Sequence, residues 1–190
     1  MPLDAAVALT DERDQHGRQH IFPAAMLIIG SFDSSAACLA PAWRVPLRAA
    51  RKLAGHHDEQ WSAEMISRDP TADDHAVAAA KRRIDLLNRI RVDLVAEIDT
   101  WVDGAIGDTE AGPLHTETIG SVVDRLAIAW VRRHRLTGGD RQRCNGGQAA
   151  LASRQFRELA RAYDDLVLDV AQGRRRVPRW RALKSYGDRP

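Results

Sequence analysis

The sequence predicts an all-α protein: an antiparallel bundle of about four long helices with an irregular N-terminal arm and a basic C-terminal tail. Three observations carry this. From Leu47 onward apolar residues recur at helical spacing, and no run of strand length alternates strictly. Val, Ile, Tyr and Phe never cluster between turn signals as strands require. The periodic stretches are long and the links between them short, which is how antiparallel bundles are connected.

Residues 1–46 form the expected arm, irregular or short-helical. Its apolar run over 22–29 is interrupted by Gly30, Asp33 and Pro41 and preceded by Asp4, Asp11, Glu12 and Asp14, so neither a basic-headed leader nor a membrane span is expected. The bundle domain is expected over 47–173, with helices at 48–68, 71–102, 116–136 and 148–172. Asp69-Pro70, the glycines of 104–113, Gly138-Gly139 and Asn145-Gly146-Gly147 punctuate them. Thr71 is the expected N-cap of the second helix, with Asp73 and Asp74 in its electropositive first turn, and Thr116 that of the third, followed by Glu117. In the last helix Phe156, Leu159, Tyr163, Leu166 and Val170 alternate spacings of three and four, a seam for one neighbour.

The tail, 174–190, carries Arg174, Arg175, Arg176, Arg179, Arg181 and Lys184 around Trp180. Such a segment can grip phosphates while the indole stacks on a base. It can equally be favourable charge at a helix C-terminus followed by a soluble end. A second basic cluster, Arg132, Arg133, Arg135, Arg141 and Arg143, surrounds the third link.

A chain of 190 residues, 44% hydrophobic and 28% charged, can bury a core without a metal or disulfide staple; collagen-like, low-complexity and wholly disordered classes are excluded. The net charge of +2 makes no case for nucleic acid. Cys38 and Cys144 are far apart and form no short metal-ligand spacing, so reduced thiols in a cytoplasmic protein are expected.

Polar residues on apolar faces mark the candidate site. Ile84, Leu87, Leu94, Val95, Ile98 and Trp101 share one arc of the second helix, with Arg91 near its centre and Asn88 at its edge. A guanidinium there needs a carboxylate on a facing helix or an anionic ligand, unless it snorkels into water. The third helix has an apolar arc of Ile119, Val122, Val123, Leu126 and Trp130. On its other side Glu117, Asp124 and Val131 share a stripe joined by Ile128, so these acids are expected to be partly enclosed or else to lie on an ordinary solvated face. His56-His57-Asp58-Glu59 with Glu64 invites a metal, but no His-x-x-x-His or Glu-x-x-His fixes the geometry. Gly138-Gly139 and Gly146-Gly147 lack the Lys-Ser/Thr ending of a phosphate loop, and no nucleophile motif occurs.

Several of these residues fall into a familiar order. Trp61-x-x-Glu64-x-x-x-Arg68, then Lys81-Arg82-x-Ile84-Asp85-x-x-Asn88-x-x-Arg91-x-Asp93, then Thr116-Glu117 and Asp124-Arg125-Leu126 with Ile128, resemble the bacterial family of domains of unknown function numbered 4254. The resemblance covers residues 58–131. The chain departs from the family pattern at Ser62, Met65, Val92 and Ala127; Ser62 stands where a His often follows the Trp, which weakens any catalytic or metal role near Trp61. The resemblance implies an all-helical bacterial protein, of a kind encoded near sugar-transfer or specialised-metabolite genes, and supplies no activity.

Three functional readings follow. The first is a biosynthetic enzyme or binding protein that holds an anionic small molecule between helices. In it Trp61, Arg68, Asn88, Arg91 and Arg125 bind, and Glu64, Glu117 or Asp124 act as acid or base in proton transfer, cyclisation or elimination without an organic cofactor or metal. The second is a non-catalytic scaffold whose Arg and Asp pairs fix helix register and whose apolar arcs meet a partner or a second copy, a homodimer. The third is a metal-dependent hydrolase using Glu64, Glu117, Asp124 and His57 or His115.

Overall fold

Helix α1, Ala25–Phe32, is followed by a 3₁₀ turn at Pro41–Trp43 and by four long helices: α2, Arg44–Ser67; α3, Asp74–Ala105; α4, Ile119–Gly138; and α5, Gly146–Ala171. This computed structural model describes residues 21–33, 41–106, 112–138 and 146–179. Among them the architecture is an all-α bundle with no named strand. The expected roles of Cys38, Arg141, Arg143, Cys144, Trp180, Arg181 and Lys184 lie outside the described residues.

α2 begins four residues before the expected 48. Pro46 falls in its first turn, where a missing N–H has no intrahelical partner to lose. The helix ends at Ser67 because Asp69 precedes Pro70, a position that disfavours helical backbone. Thr71 belongs to the following turn and is not the N-cap: the Asp69 carboxylate accepts its N–H at 2.8 Å and its hydroxyl at 2.6 Å. The Thr71 hydroxyl holds the Asp69 carboxyl below the usual carboxylate range. The cap of α3 is Asp73, which accepts the Ala76 N–H at 2.7 Å.

α3 has 32 residues, a rod of about 48 Å. Its buried positions, Ala80, Leu87, Leu94, Ile98 and Val102, step by sevens and then fours along one seam. α3 packs more extensively on α2 than on α4. Arg48 pairs with Glu97, and Arg83 donates to Glu59 at 2.6 Å, so the start of one helix lies beside the end of the other and the two are antiparallel.

α4 starts at Ile119, three residues after the expected 116. The Thr118 hydroxyl accepts the Ser121 N–H at 3.1 Å, and Asp99 of α3 accepts the Gly120 N–H at 2.7 Å. Burial pushes the Asp99 carboxyl up from its ordinary range, against the opposing pull of hydrogen bonds from Thr118 and Gly120. Gly120 is required by this approach. A Cβ there would lie 2.5 Å from the Val95 carbonyl oxygen and 2.7 Å from Asp99 Oδ1. Gly120→Ala should therefore push α4 off α3 and destabilise the protein by about 1–3 kcal/mol, against a gain in helix propensity of under about 1 kcal/mol. Urea denaturation would measure it, and an unchanged midpoint would mean that the two helices separate freely.

α5 buries Phe156, Tyr163, Leu166, Val167 and Val170, most of the expected seam, with Leu159 half-buried at its edge. Opposite it, α1 joins the same core: Ile28 is wholly enclosed beside Phe22 and Phe32. α1 has no side-chain cap of its own. Asp164 of α5 supplies one, accepting the Ala25 N–H at 2.7 Å, while the Tyr163 hydroxyl donates to the Pro23 carbonyl at 3.0 Å. Burial raises the Tyr163 phenol far above its ordinary range, so it stays a donor.

Beyond α5, Gly173 (φ 68°) turns the chain back. Residues 174–179 then run along the segment before α4: the His115 N–H donates to the Arg176 carbonyl at 2.8 Å and the Arg176 N–H to the Pro113 carbonyl at 3.2 Å. Arg174 and Arg175 both pair with Asp169, and Val177 is buried. The first residues of the expected tail are thus fastened to the bundle.

α4 packs on α1, α2, α3 and α5, whereas α3 and α5 flank it without packing on each other. That gap is where the cleft described below opens. No described helix is long and apolar enough to cross a membrane.

Candidate functional site

The polar centre of the bundle is Asp124. It is 2% exposed on α4, among Val123, Leu126 and Ala127, which are also buried. Two neighbours satisfy its carboxylate. Arg91 of α3 donates Nε to both oxygens, at 2.9 and 3.0 Å, and Nη2 to Oδ2. His57 of α2, 8% exposed, lies with Nε2 2.8 Å from Oδ1. Burial alone would raise the Asp124 carboxyl, but hydrogen bonds from His57 and Arg91, with their charges, outweigh it and hold the group below its ordinary range. The carboxylate is therefore ionised and can only accept, which places a proton on His57 Nε2.

Three helices meet at this carboxylate, and each brings the residue its sequence position dictates. Arg91 lies between the buried Leu87 and Leu94 on α3, and His57 between Leu53, Ala54 and Ala63 on α2. Of the outcomes expected for Arg91, the structure shows a carboxylate on a facing helix, with the guanidinium still part-exposed. Arg91 keeps 39% of its side chain exposed. A guanidinium has five N–H donors in a planar fork. Asp124 takes those along the Nε–Nη2 edge, and the end carrying Nη1 is left for another acceptor.

Arg91 also lines a cleft of about 660 Å³ on the outer face of α4 between α3 and α5. Arg91, Arg125 and Arg132 line it, with Gln155 and Glu158 from α5. Its apolar lining is Ile128 and Ala129 from α4 and Ala152, Leu159 and Ala162 from α5. Arg125 is held by Glu117 and Glu158 lies 3.8 Å from Arg154, whereas Arg132 has no carboxylate partner among the described residues.

The expected site residues separate into two groups. Arg91 and Arg125 border the cleft, with Asp124 behind the first and Glu117 holding the second. Trp61, Glu64, Arg68 and Asn88 do not line it. Trp61 is half-buried on α2, Glu64 pairs at 2.8 Å with Arg68 just past the end of that helix, and Asn88 accepts from Gln60 at 3.4 Å on an exposed face.

The three candidate acids do not converge, since Glu64, Glu117 and Asp124 each bind a different arginine. The expected stripe of Glu117 with Asp124 is also corrected: Glu117 precedes α4, because Thr118 provides the cap. Among the described residues no three His, Cys, Asp or Glu side chains are grouped as a metal site requires. His115 accepts the Glu117 N–H at Nδ1, and burial pushes the His56 imidazole below its ordinary value.

Arg132, Gln155 and Glu158 are cleft residues that the sequence did not single out; Arg132 stood there only in a basic cluster at a link. A signal was present. Arg125, Ile128, Ala129 and Arg132 stand at i, i+3, i+4 and i+7, one face of a helix with charge at both ends and apolar residues between.

Residues 48–178 match the family described as "Protein of unknown function (DUF4254)", and the chain belongs to it. No curated protein and no solved structure gives a significant match.

Proposed function

We propose that this member of the family binds an anionic small molecule in the cleft between α3, α4 and α5. The observation that carries the reading is the state of Arg91: one edge of its fork is fixed by a buried carboxylate, and the residue lines an open cleft together with two further arginines. A guanidinium held in this way has already lost its rotamer freedom, so less entropy is given up when an anion docks. In this reading Asp124 and His57 are positioning residues, and Glu117 does the same for Arg125. Proton transfer in the cleft would run through Glu158, the one carboxylate among its lining residues. The gene surroundings implied by the family resemblance support placing the ligand in a bacterial biosynthetic pathway.

A second reading has its own support. Asp124 ties α2, α3 and α4 at one point, so the network would fix their register whether or not a ligand binds.

Melting temperature measured with inorganic phosphate, citrate and octanoate separates the two. At least one of these anions should raise it by several degrees, and the rise should disappear in Arg132→Ala, an exposed residue whose loss leaves the unliganded protein unchanged. Arg91→Lys, which cannot serve Asp124 and a ligand as a fork, should lose it as well. If none of the anions protects, or if protection survives both substitutions, the cleft is not an anion site and the register reading stands.

A further inference from the structure

We infer that the ligand of this cleft is a monocarboxylate with an apolar body, in preference to a phosphate ester; the inference rests on the cleft being an anion site. Charge is the first reason. Three arginines border the cleft, but Asp124 neutralises Arg91 and Glu117 neutralises Arg125, which leaves, among the described residues that line it, the uncompensated charge of Arg132. Glu158 brings its own counter-ion, Arg154. One net positive charge matches one carboxylate. A phosphate monoester carries about −1.5 to −2 at neutral pH and would leave excess negative charge beside Glu158.

Shape is the second reason. The part of the Arg91 fork that Asp124 leaves open presents parallel N–H groups, the arrangement that a carboxylate's two oxygens accept. Arg125 and Arg132 are two helical turns apart, about 10 Å along α4, and the surface between them is Ile128 and Ala129. Leu159 and Ala162 of α5 extend this apolar floor. The room itself comes from small residues: Ala129, Ala152 and Ala162 stand where larger side chains would fill the space between the helices. A site for a bare inorganic anion needs no such floor, whereas a hydrocarbon body does.

Titration calorimetry at fixed ionic strength with acetate, hexanoate, octanoate and inorganic phosphate tests this. Octanoate should bind one to one and more tightly than phosphate, with affinity rising up to about fourfold for each methylene buried between hexanoate and octanoate. Ala162→Trp, at an exposed position that leaves folding intact, should lower octanoate affinity at least about tenfold by covering the floor. Arg132→Ala should lower it about as much by removing the charge.

If phosphate binds in an Arg132-dependent way while octanoate binds no better than acetate, the carboxylate assignment is overturned and the anion cleft survives. If no anion binds at all, both fall. Octanoate binding that ignores both substitutions would place it elsewhere on the surface and also overturn the inference.

Discussion

Asp124→Ala should be destabilised by about 3 kcal/mol, corresponding to a fall in melting temperature of about 6–12 °C for a chain of this size. Removing the carboxylate leaves the His57 Nε2–H, on a side chain 8% exposed, without an acceptor, and leaves the Arg91 guanidinium facing a hole where its counter-charge was. Breaking a buried pair from one side costs about 3–5 kcal/mol. The lower end applies here because Arg91 is 39% exposed and can turn its head toward water.

The effect should depend on pH with a definite sign. The Asp124 carboxyl is held below its ordinary value in the folded protein, so the folded state favours the ionised form more than the unfolded chain does. The stabilisation is complete above the unfolded carboxyl's pKa of about 4 and is lost as pH falls through the lower folded value. The gap between wild type and Asp124→Ala should therefore close as pH falls below about 4. Urea denaturation of both proteins across that range measures this. A difference under about 1 kcal/mol at pH 7, or one that persists undiminished below about pH 4, would show that Asp124 does not anchor the bundle.

The bundle was legible because helical periodicity and turn chemistry are local properties. Leu87, Leu94 and Ile98 declare one face of α3 without reference to any neighbour. The ends were less so, for reasons that the caps make clear. Thr71 and Thr116 each resemble an N-cap in sequence, but a cap is chosen by whichever oxygen reaches an N–H two or three residues on. Asp73 and Thr118 do so, while Thr71 is occupied by Asp69. Asp99 satisfying Gly120 from another helix has no local signature at all.

The site divides along the same line. That Arg91, if enclosed, needed a carboxylate or an anionic ligand followed from desolvation, and Asp124 stood among the acids of the next helix with apolar neighbours on their stripe. That His57 completes the group, and that the cleft opens toward α5 and not toward Trp61 and Glu64, depends on which helices fail to touch. Motif spacing records neighbours along a helix and carries no information about a gap between two others. The arm was opaque for a related reason. Its apolar run signals burial, but the partners that hold it, Tyr163 and Asp164, are distant in sequence.

The triple substitution His57→Leu, Arg91→Met, Asp124→Leu should return stability to within about 1 kcal/mol of the wild type, a recovery of about 2–3 kcal/mol over Asp124→Ala. The Asp124 carboxylate and the His57 imidazole were taken out of water to join the network, with Arg91 partly so, and that desolvation offsets much of their mutual attraction; apolar residues of similar volume incur no such loss. On their core-facing sides His57 is flanked by Leu53 and Ala54, Arg91 by Leu87 and Leu94, and Asp124 by Val123 and Ala127, all of them buried. Anion binding should meanwhile be abolished, because a thioether in place of the Arg91 guanidinium offers no donor to the cleft.

The combination of the two measurements decides between the readings of the network. A triple variant as stable as the wild type but unable to bind any anion means that the bundle can fold without the network, which then serves to orient Arg91. A triple variant that folds poorly, or that populates more than one oligomeric state in sedimentation, assigns the three residues to helix register. In that case the open end of Arg91 is a consequence of its place at the edge of the core and not of a ligand.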